Sequence, residues 1–164
     1  MKKFTGVVLV LIALVFLVVI IVRGVTFGIN CGGHMGRAAN ANSIGLAKQE
    51  MEIVVKYLEY NNLTNGNTSV LWDTPSQDLG FFYKNMKDSL VELQSIKDTA
   101  TPLEKSNVLM KLRETLTHHG DKSTSITVPW GISLAPHNVL FAVWGVISVL
   151  IAIVGCALFV DDSY

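Results

Sequence analysis

Two long stretches of this 164-residue sequence contain no charged side chain. They are Gly6–Val22, with 17 residues, and Val139–Val160, with 22 residues and a single hydroxyl group on Ser148. The hydrocarbon core of a bilayer is about 30 Å thick, and about 20 apolar helical residues cross it. Irregular backbone cannot satisfy its polar groups in contact with lipid, so both stretches predict transmembrane helices.

The sequence also has few features of a transporter or an enzyme. Neither apolar stretch contains an ionisable residue, although proton relays and ion pathways usually require one. G-x-S-x-G, a Walker loop and H-E-x-x-H are all absent. Glu50, Glu52 and Glu59 have the spacing of a solvated helix face. We therefore expect neither a self-contained channel nor an enzyme.

Cysteine is scarce and charge is balanced. Cys31 follows the first apolar stretch and Cys156 lies within the second, so we expect no intramolecular disulfide. An unpaired Cys31 outside the cytoplasm would be free to pair with another chain. Between the two stretches, 11 Lys and Arg residues balance 11 Asp and Glu residues. This balance gives no indication of nucleic-acid binding.

The positions of the apolar stretches divide the chain into five parts. These are a short cytoplasmic N-terminus (1–5), a first span (6–22), a polar domain (23–138), a second span (139–160) and a cytoplasmic tail (161–164). The domain is long enough to bury a small core of its own.

Basic residues near the first span indicate the orientation. Lys2 and Lys3 favour a cytoplasmic N-terminus, and Arg23 opposes them weakly. A basic start before an apolar run also describes a signal peptide, but this run is slightly long and no A-x-A motif follows it directly. We predict an uncleaved anchor in the bacterial inner (plasma) membrane, with the central domain extracytoplasmic.

Apolar residues recur at spacings of three and four in three parts of the central domain, which predicts three amphipathic helices. The predicted helices cover about residues 37–60, 79–97 and 102–119. The clearest local signal is Thr101 as N-cap, Pro102 at the first helical position and Glu104 closing a capping box. The expected fold class is an all-α membrane protein, with two transmembrane helices bracketing a small three-helix extracytoplasmic bundle.

The segments that join the spans to this domain have distinctive compositions. Residues 24–36 contain five glycines, which predicts a flexible or close-packed connector rather than a regular element. Residues 121–138 contain two prolines and predict an extended return to the second span. Trp130 within that return suits the membrane interface, where its ring is partly buried and its N–H stays hydrated.

Cys31 and His34 carry the alternative hypothesis of a metal site. The two residue types lie three positions apart, a spacing that can chelate one metal ion. His118 and His119 offer further ligands, but no additional residue has a recognisable zinc spacing. The C-x-x-C-H motif of haem attachment is absent. We expect no cofactor, and an external metal- or haem-binding module is the alternative.

Two groups of residues are candidate contact surfaces for another protein. Trp72, Phe81 and Tyr83 offer aromatic area in the external domain, because a helix that buries Phe82 cannot bury both of its neighbours. Ser148, Ala152 and Cys156 are small residues spaced by four within the second span, a pattern that lets another helix approach closely. That helix would be the first span, a second copy or another membrane protein.

The layout of two spans around an external helical domain resembles that of bacterial sensor and chemoreceptor input modules. In those proteins a large cytoplasmic domain follows the second span, whereas here four residues follow it. The resemblance therefore implies that any signal passes sideways to a partner in the membrane. Our main hypothesis is an accessory or assembly subunit of a membrane complex, and a small-ligand sensor is a further alternative.

Overall fold

A computed structural model of the chain describes residues 2–119 and 124–161. Within these residues the regular structure is helical except for one short antiparallel hairpin, in which β1 (Thr117–His119) pairs with β2 (Thr124–Ile126). The α-helices are α1 (Lys2–Phe27), α2 (Gly33–Ala39), α3 (Ile44–Tyr60), α4 (Leu79–Ser95), α5 (Pro102–Leu116) and α6 (Asn138–Asp161). The tail that the sequence predicts after the second span lies almost wholly outside the described residues.

Two helical segments are long and apolar enough to cross a membrane, judged by length and composition. They are Phe4–Ala39, with 36 residues, and Asn138–Leu158, with 21 residues. The first joins α1 to α2 through a π-helical turn at Gly28–Gly32. At about 1.5 Å per residue its length is about 54 Å. A bilayer core is only about 30 Å thick, so this segment is long enough to extend well beyond one.

The glycine-rich segment 24–36 is helical and buries one face, so the expectation that it forms no regular element is wrong. Phe27, Cys31, Met35 and Ala38 follow one another at spacings of three and four, and all are buried. Glycine costs about 1 kcal/mol at each helical position relative to alanine. Burial of this apolar face in the core offsets that cost.

Small residues allow α1 and α6 to pack closely against each other. A Cβ atom added to Gly155 would lie 2.9 Å from the carbonyl oxygen of Gly6, and one added to Gly145 would lie 2.9 Å from the ring of Phe16. Both distances are shorter than a normal contact of a Cβ atom, so a side chain at either glycine would force the neighbouring atoms to shift. The rings of Phe16 and Trp144 also pack edge to face, with 5.2 Å between their centroids. The two apolar helices are therefore each other's partners in this chain.

Arg23, near the C-terminal end of α1, binds the segment of chain that leads into α6. Its Nε donates a hydrogen bond to the Ser133 carbonyl oxygen at 3.0 Å, and its Nη2 donates to that of Ala135 at 3.4 Å. The guanidinium carbon also lies 5.2 Å from the ring centroid of Phe141, a cation–π distance. The return, at residues 131–137, is thereby fixed just before α6 begins.

The helix starts in the central domain follow its capping residues. The capping box of Thr101 and Glu104 at the start of α5 is confirmed, and the backbone N–H of Thr101 lowers the pKa of the Glu104 carboxyl group. Asp78 caps α4, accepting from the N–H of Phe81 at 2.9 Å. Ser43 caps α3 by accepting from the N–H of Leu46 at 3.3 Å.

Two of the predicted helix bounds are wrong. The helix expected from residue 37 is interrupted, because α2 ends at Ala39 and α3 begins at Ile44. The side chain of Asn40 bonds back to the Gly36 carbonyl oxygen at 2.8 Å, which satisfies the end of α2. The helix expected to reach residue 119 ends at Leu116, because Thr117–His119 pairs with the second hairpin strand instead.

One hydrophobic core joins α2, α3, α4 and α5 to the C-terminal end of α1. The apolar stripes predicted from the sequence supply it, and their fully buried members include Met51, Leu58, Leu79, Met86, Leu93 and Leu116. α3 packs against both α2 and α4, whereas α5 rests mainly on α2. Because α2 continues the first apolar helix, the core is built directly on it.

The packing of α1 on α6 predicts a large difference between two adjacent substitutions. Gly155→Leu places a side chain against the backbone of Gly6, and overpacking of this kind typically costs about 1–3 kcal/mol. Cys156→Leu is the control, because Cys156 is exposed on the same helix. Thermal unfolding in detergent micelles should show a lower Tm for G155L only. Equal Tm values for the two variants would contradict this packing.

Candidate functional site

A cleft with a volume of about 890 Å³ opens where α3 begins, α4 ends and α5 begins. We call it the basic cleft. It is lined by Ala39, Ala41, Asn42, Ser43, Ile44, Gly45, Lys48, Leu93, Gln94, Ile96, Lys97, Asp98, Pro102, Lys105, Ser106, Leu109, Met110 and Arg113. It was not among the sites predicted from the sequence.

The cleft exists because α5 does not pack closely against α3 and α4 at this end. α3 and α4 pack along each other, with the start of α3 beside the end of α4, while α5 makes most of its helix contacts with α2. An ion pair between Lys111 and Glu92, at 2.9 Å, ties α5 to α4 beside the cleft. The space between α5 and the α3–α4 pair therefore stays open at this end.

The charges that line the cleft are mostly positive. Lys48, Lys97, Lys105 and Arg113 face one acidic residue, Asp98. Arg113 Nε donates to the carbonyl oxygen of Ala39 at 3.0 Å, and Lys105 Nζ donates to that of Asp98 at 2.8 Å. Lys48 and Lys97 make no hydrogen bond or ion pair to any residue that the structure describes. These two ammonium groups are free to bind an anionic partner.

The floor of the cleft is apolar. Leu93 is fully buried, and Ile44, Ile96 and Leu109 are partly buried. Met110 is 57% exposed at the edge and has the flexible, polarisable side chain that adapts to varied binding partners. An apolar floor beside free cations matches a ligand that combines apolar groups with negative charge.

The aromatic candidates Trp72, Phe81 and Tyr83 have different surroundings. Trp72 is 73% exposed and Phe81 is 63% exposed, whereas Phe82 is buried as expected. Tyr83 is half-buried, and its hydroxyl group donates to Glu59 Oε1 at 2.6 Å. The same hydroxyl accepts from Lys87, a hydrogen bond that raises the pKa of Lys87. Tyr83 thus connects α4 to α3, while two exposed rings remain available for contact.

The small residues of the second span are divided between two faces of α6. Ser148 is buried and Ala152 is partly buried, whereas Cys156 is exposed. Gly155, rather than Cys156, makes the close approach to α1. The contact predicted for Ser148, Ala152 and Cys156 with another helix stays a prediction, although the glycines of α6 already pack on α1.

Cys31 and His34 have structural contacts. Cys31 is fully buried in the core, so in this structure it is not free to pair with another chain. His34 Nδ1 lies 2.6 Å from Glu50 Oε2, and Arg37 Nη2 lies 2.6 Å from Glu50 Oε1. Across the described ranges 2–119 and 124–161, no three His, Cys, Asp or Glu side chains form a group that could hold a metal ion. Metal binding at Cys31 and His34 stays a prediction.

The prediction that Glu50 lies on a solvated face is wrong. Only 4% of it is exposed, and it joins α3 to α2 through His34 and Arg37. The sequence spacing indicates that Glu50 is buried, because Glu50 lies three residues after Ala47 and four before Val54, on the apolar stripe of α3. A buried carboxylate needs such partners, since an unpaired charge in a core is strongly unfavourable.

Comparisons with known proteins give no family for this chain. A scan against protein-family models found no match, and neither a search of curated proteins nor one of solved structures found a significant similarity.

The contacts of Glu50 predict that His34 is a structural residue. His34→Ala removes the partner of Glu50 Oε2, and leaving a buried acceptor unsatisfied typically costs about 1–3 kcal/mol. His118→Ala is the control, because His118 is exposed on the hairpin. We expect H34A alone to lower the free energy of unfolding, with no change in metal content by elemental analysis. Loss of a stoichiometric metal from H34A would instead support the metal site.

Proposed function

We propose that this chain is a two-span membrane protein whose external domain binds an acidic, partly apolar segment of another membrane-associated protein. In this proposal α3, α4 and α5 form a three-helix bundle on the extracytoplasmic side of a bacterial inner membrane. The protein acts as an accessory or assembly subunit of a membrane complex and catalyses no reaction.

The basic cleft is the observation that carries this proposal. Lys48 and Lys97 have no partner within the described part of the chain, and they stand beside an apolar floor. Opposite charges across an interface steer the encounter and fix the register of the partner. Burial of apolar side chains is the dominant favourable contribution to most protein–protein association. An acidic segment with apolar residues meets both requirements.

The membrane location is supported by the two apolar helices and by the way they pack. α1 and α6 leave most of their large side chains exposed, including Leu11, Leu17, Leu140 and Leu150. An apolar surface of this extent is unfavourable in water and is stable in a bilayer. The polar residues Arg23 and Asn138 lie at the same end of the helix pair, beside the central domain.

A small-ligand sensor is the second candidate for the cleft. Its volume of about 890 Å³ lies within the usual range of ligand sites, and its charge would select an anion. We favour a protein segment because the cleft is open at the surface, where Met110 extends its edge. A photo-cross-link from the cleft separates the two, since a small ligand leaves no peptide to sequence.

The cleft proposal predicts a specific cross-link. With a photoreactive amino acid at Met110 in the full-length chain, irradiation of native membranes should give one discrete adduct. K48E/K97E should reduce its yield by at least about tenfold, because like charges then face the acidic partner. K56E/K84E is the matched control, since Lys56 and Lys84 are exposed on α3 and α4 outside the cleft.

The identity of the cross-linked partner tests whether the cleft binds an acidic protein segment. Mass spectrometry of the cross-linked peptide should show an acidic, partly apolar sequence. A non-acidic sequence, an adduct that K48E/K97E leaves unchanged, or the absence of an adduct would overturn the proposal. The same photoreactive residue at Phe81 tests the exposed aromatic rings, and an adduct there alone would place the contact on that surface instead.

The proposed orientation predicts selective labelling from outside the cell. In a chain with Cys31 and Cys156 replaced by serine, Asn107→Cys lies on the exposed surface of α5. A membrane-impermeant maleimide should label it in intact cells. Lys3→Cys, at the other end of the first span, should be labelled only after permeabilisation. Labelling in the reverse order would place the domain in the cytoplasm.

A further inference from the structure

A second concavity, of about 660 Å³, lies along the pair of apolar helices. We call it the span groove. Its walls are formed by Phe16 and Ile20 of α1 and by Phe141 and Val146 of α6, and Val70 and Trp130 border one end. We propose that the span groove binds one acyl chain of a phospholipid whose head group donates a hydrogen bond to Asn138. This rests on the proposed placement of α1 and α6 in the bilayer.

The length of the groove matches one leaflet. Its lining on α6 extends from Asn138 to Leu150, and 12 residues of helix rise about 18 Å. Half of a bilayer core of about 30 Å is about 15 Å. The groove thus begins beside the central domain and ends near the middle of the membrane. A lipid of the outer leaflet has this extent, whereas a crossing helix would continue along the full length of both spans.

The polarity of the groove is also that of a lipid. Most of its lining is apolar, and the polar side chains of Ser133 and Asn138 lie together at the end next to the domain. Trp130 is 78% exposed at that end, where an indole ring suits the head-group region. An acyl chain with a polar head at one end fits this distribution.

Asn138 supplies the argument for a specific head group. Only 6% of this residue is exposed, and its Nδ2 donates to the Gly131 carbonyl oxygen at 2.8 Å. Its Oδ1 is buried and accepts no hydrogen bond from any residue in the described ranges. A buried acceptor without a donor is unfavourable. When the Asn138 side chain turns toward the groove that it lines, a primary ammonium or hydroxyl group on the head group provides the donor, and a trimethylammonium group does not.

The test compares two lipids with identical acyl chains. The full-length chain is reconstituted in nanodiscs that contain equal amounts of phosphatidylethanolamine and phosphatidylcholine, and it is then released gently for native mass spectrometry. One retained lipid per chain is expected, with a roughly fivefold preference for phosphatidylethanolamine from a single added hydrogen bond. Equal retention of the two lipids would overturn the proposal.

Two substitutions on one helix locate the lipid. V146W fills the groove and should abolish retention, whereas V143W should leave it unchanged. Both valines are more than half exposed, and only Val146 lines the groove. Far-UV circular dichroism shows whether each variant is folded. Equal retention by folded V146W and V143W would contradict the assignment. Alkaline carbonate extraction tests membrane insertion separately, so failure of lipid binding is distinguishable from failure of the proposed location.

Discussion

The structure depends on one helix that belongs both to the apolar helix pair and to the central domain. Residues 4–39 form a continuous helical segment, which is too long for a bilayer core alone. Its first part packs on α6 through Gly6 and Phe16, and its last part buries Cys31 and Met35 in the core of the central domain. Since the same backbone belongs to both, the domain has little freedom to rotate relative to the apolar helices.

This constraint determines where the two concavities lie. Arg23 holds the return before α6 against α1, which forms the polar end of the span groove beside Asn138. The α2 part of the helix supports α5, and this leaves α5 separated from α3 and α4 at the basic cleft. The cleft and the groove thus lie at opposite ends of the central domain. A partner segment and a lipid would bind at distant places on one rigid frame.

Apolar periodicity and capping residues predicted much of the helical structure. They failed where contacts between distant segments determine the local conformation. Thr101 with Glu104, and Asp78, are local signals, so the starts of α5 and α4 were predictable. The glycines of residues 24–36 indicate irregular chain, whereas the segment is a helix stabilised by burial of its apolar face in the core. The hairpin at Thr117–His119 depends on a distant pairing with Thr124–Ile126. The basic cleft was not predictable, because Lys48 and Lys97 look like solvated residues until α5 is placed beside them.

Hydrogen exchange across the glycine-rich segment tests the central claim most directly. The full-length chain in nanodiscs would be transferred to deuterated buffer, and peptides covering residues 24–39 would be compared with peptides from α3. Continuous helix with a buried face predicts protection comparable to that of α3, because exchange then requires opening of the shared core. Exchange of residues 24–36 within seconds would show a flexible connector, and the rigid coupling of the domain to the apolar helices would be wrong.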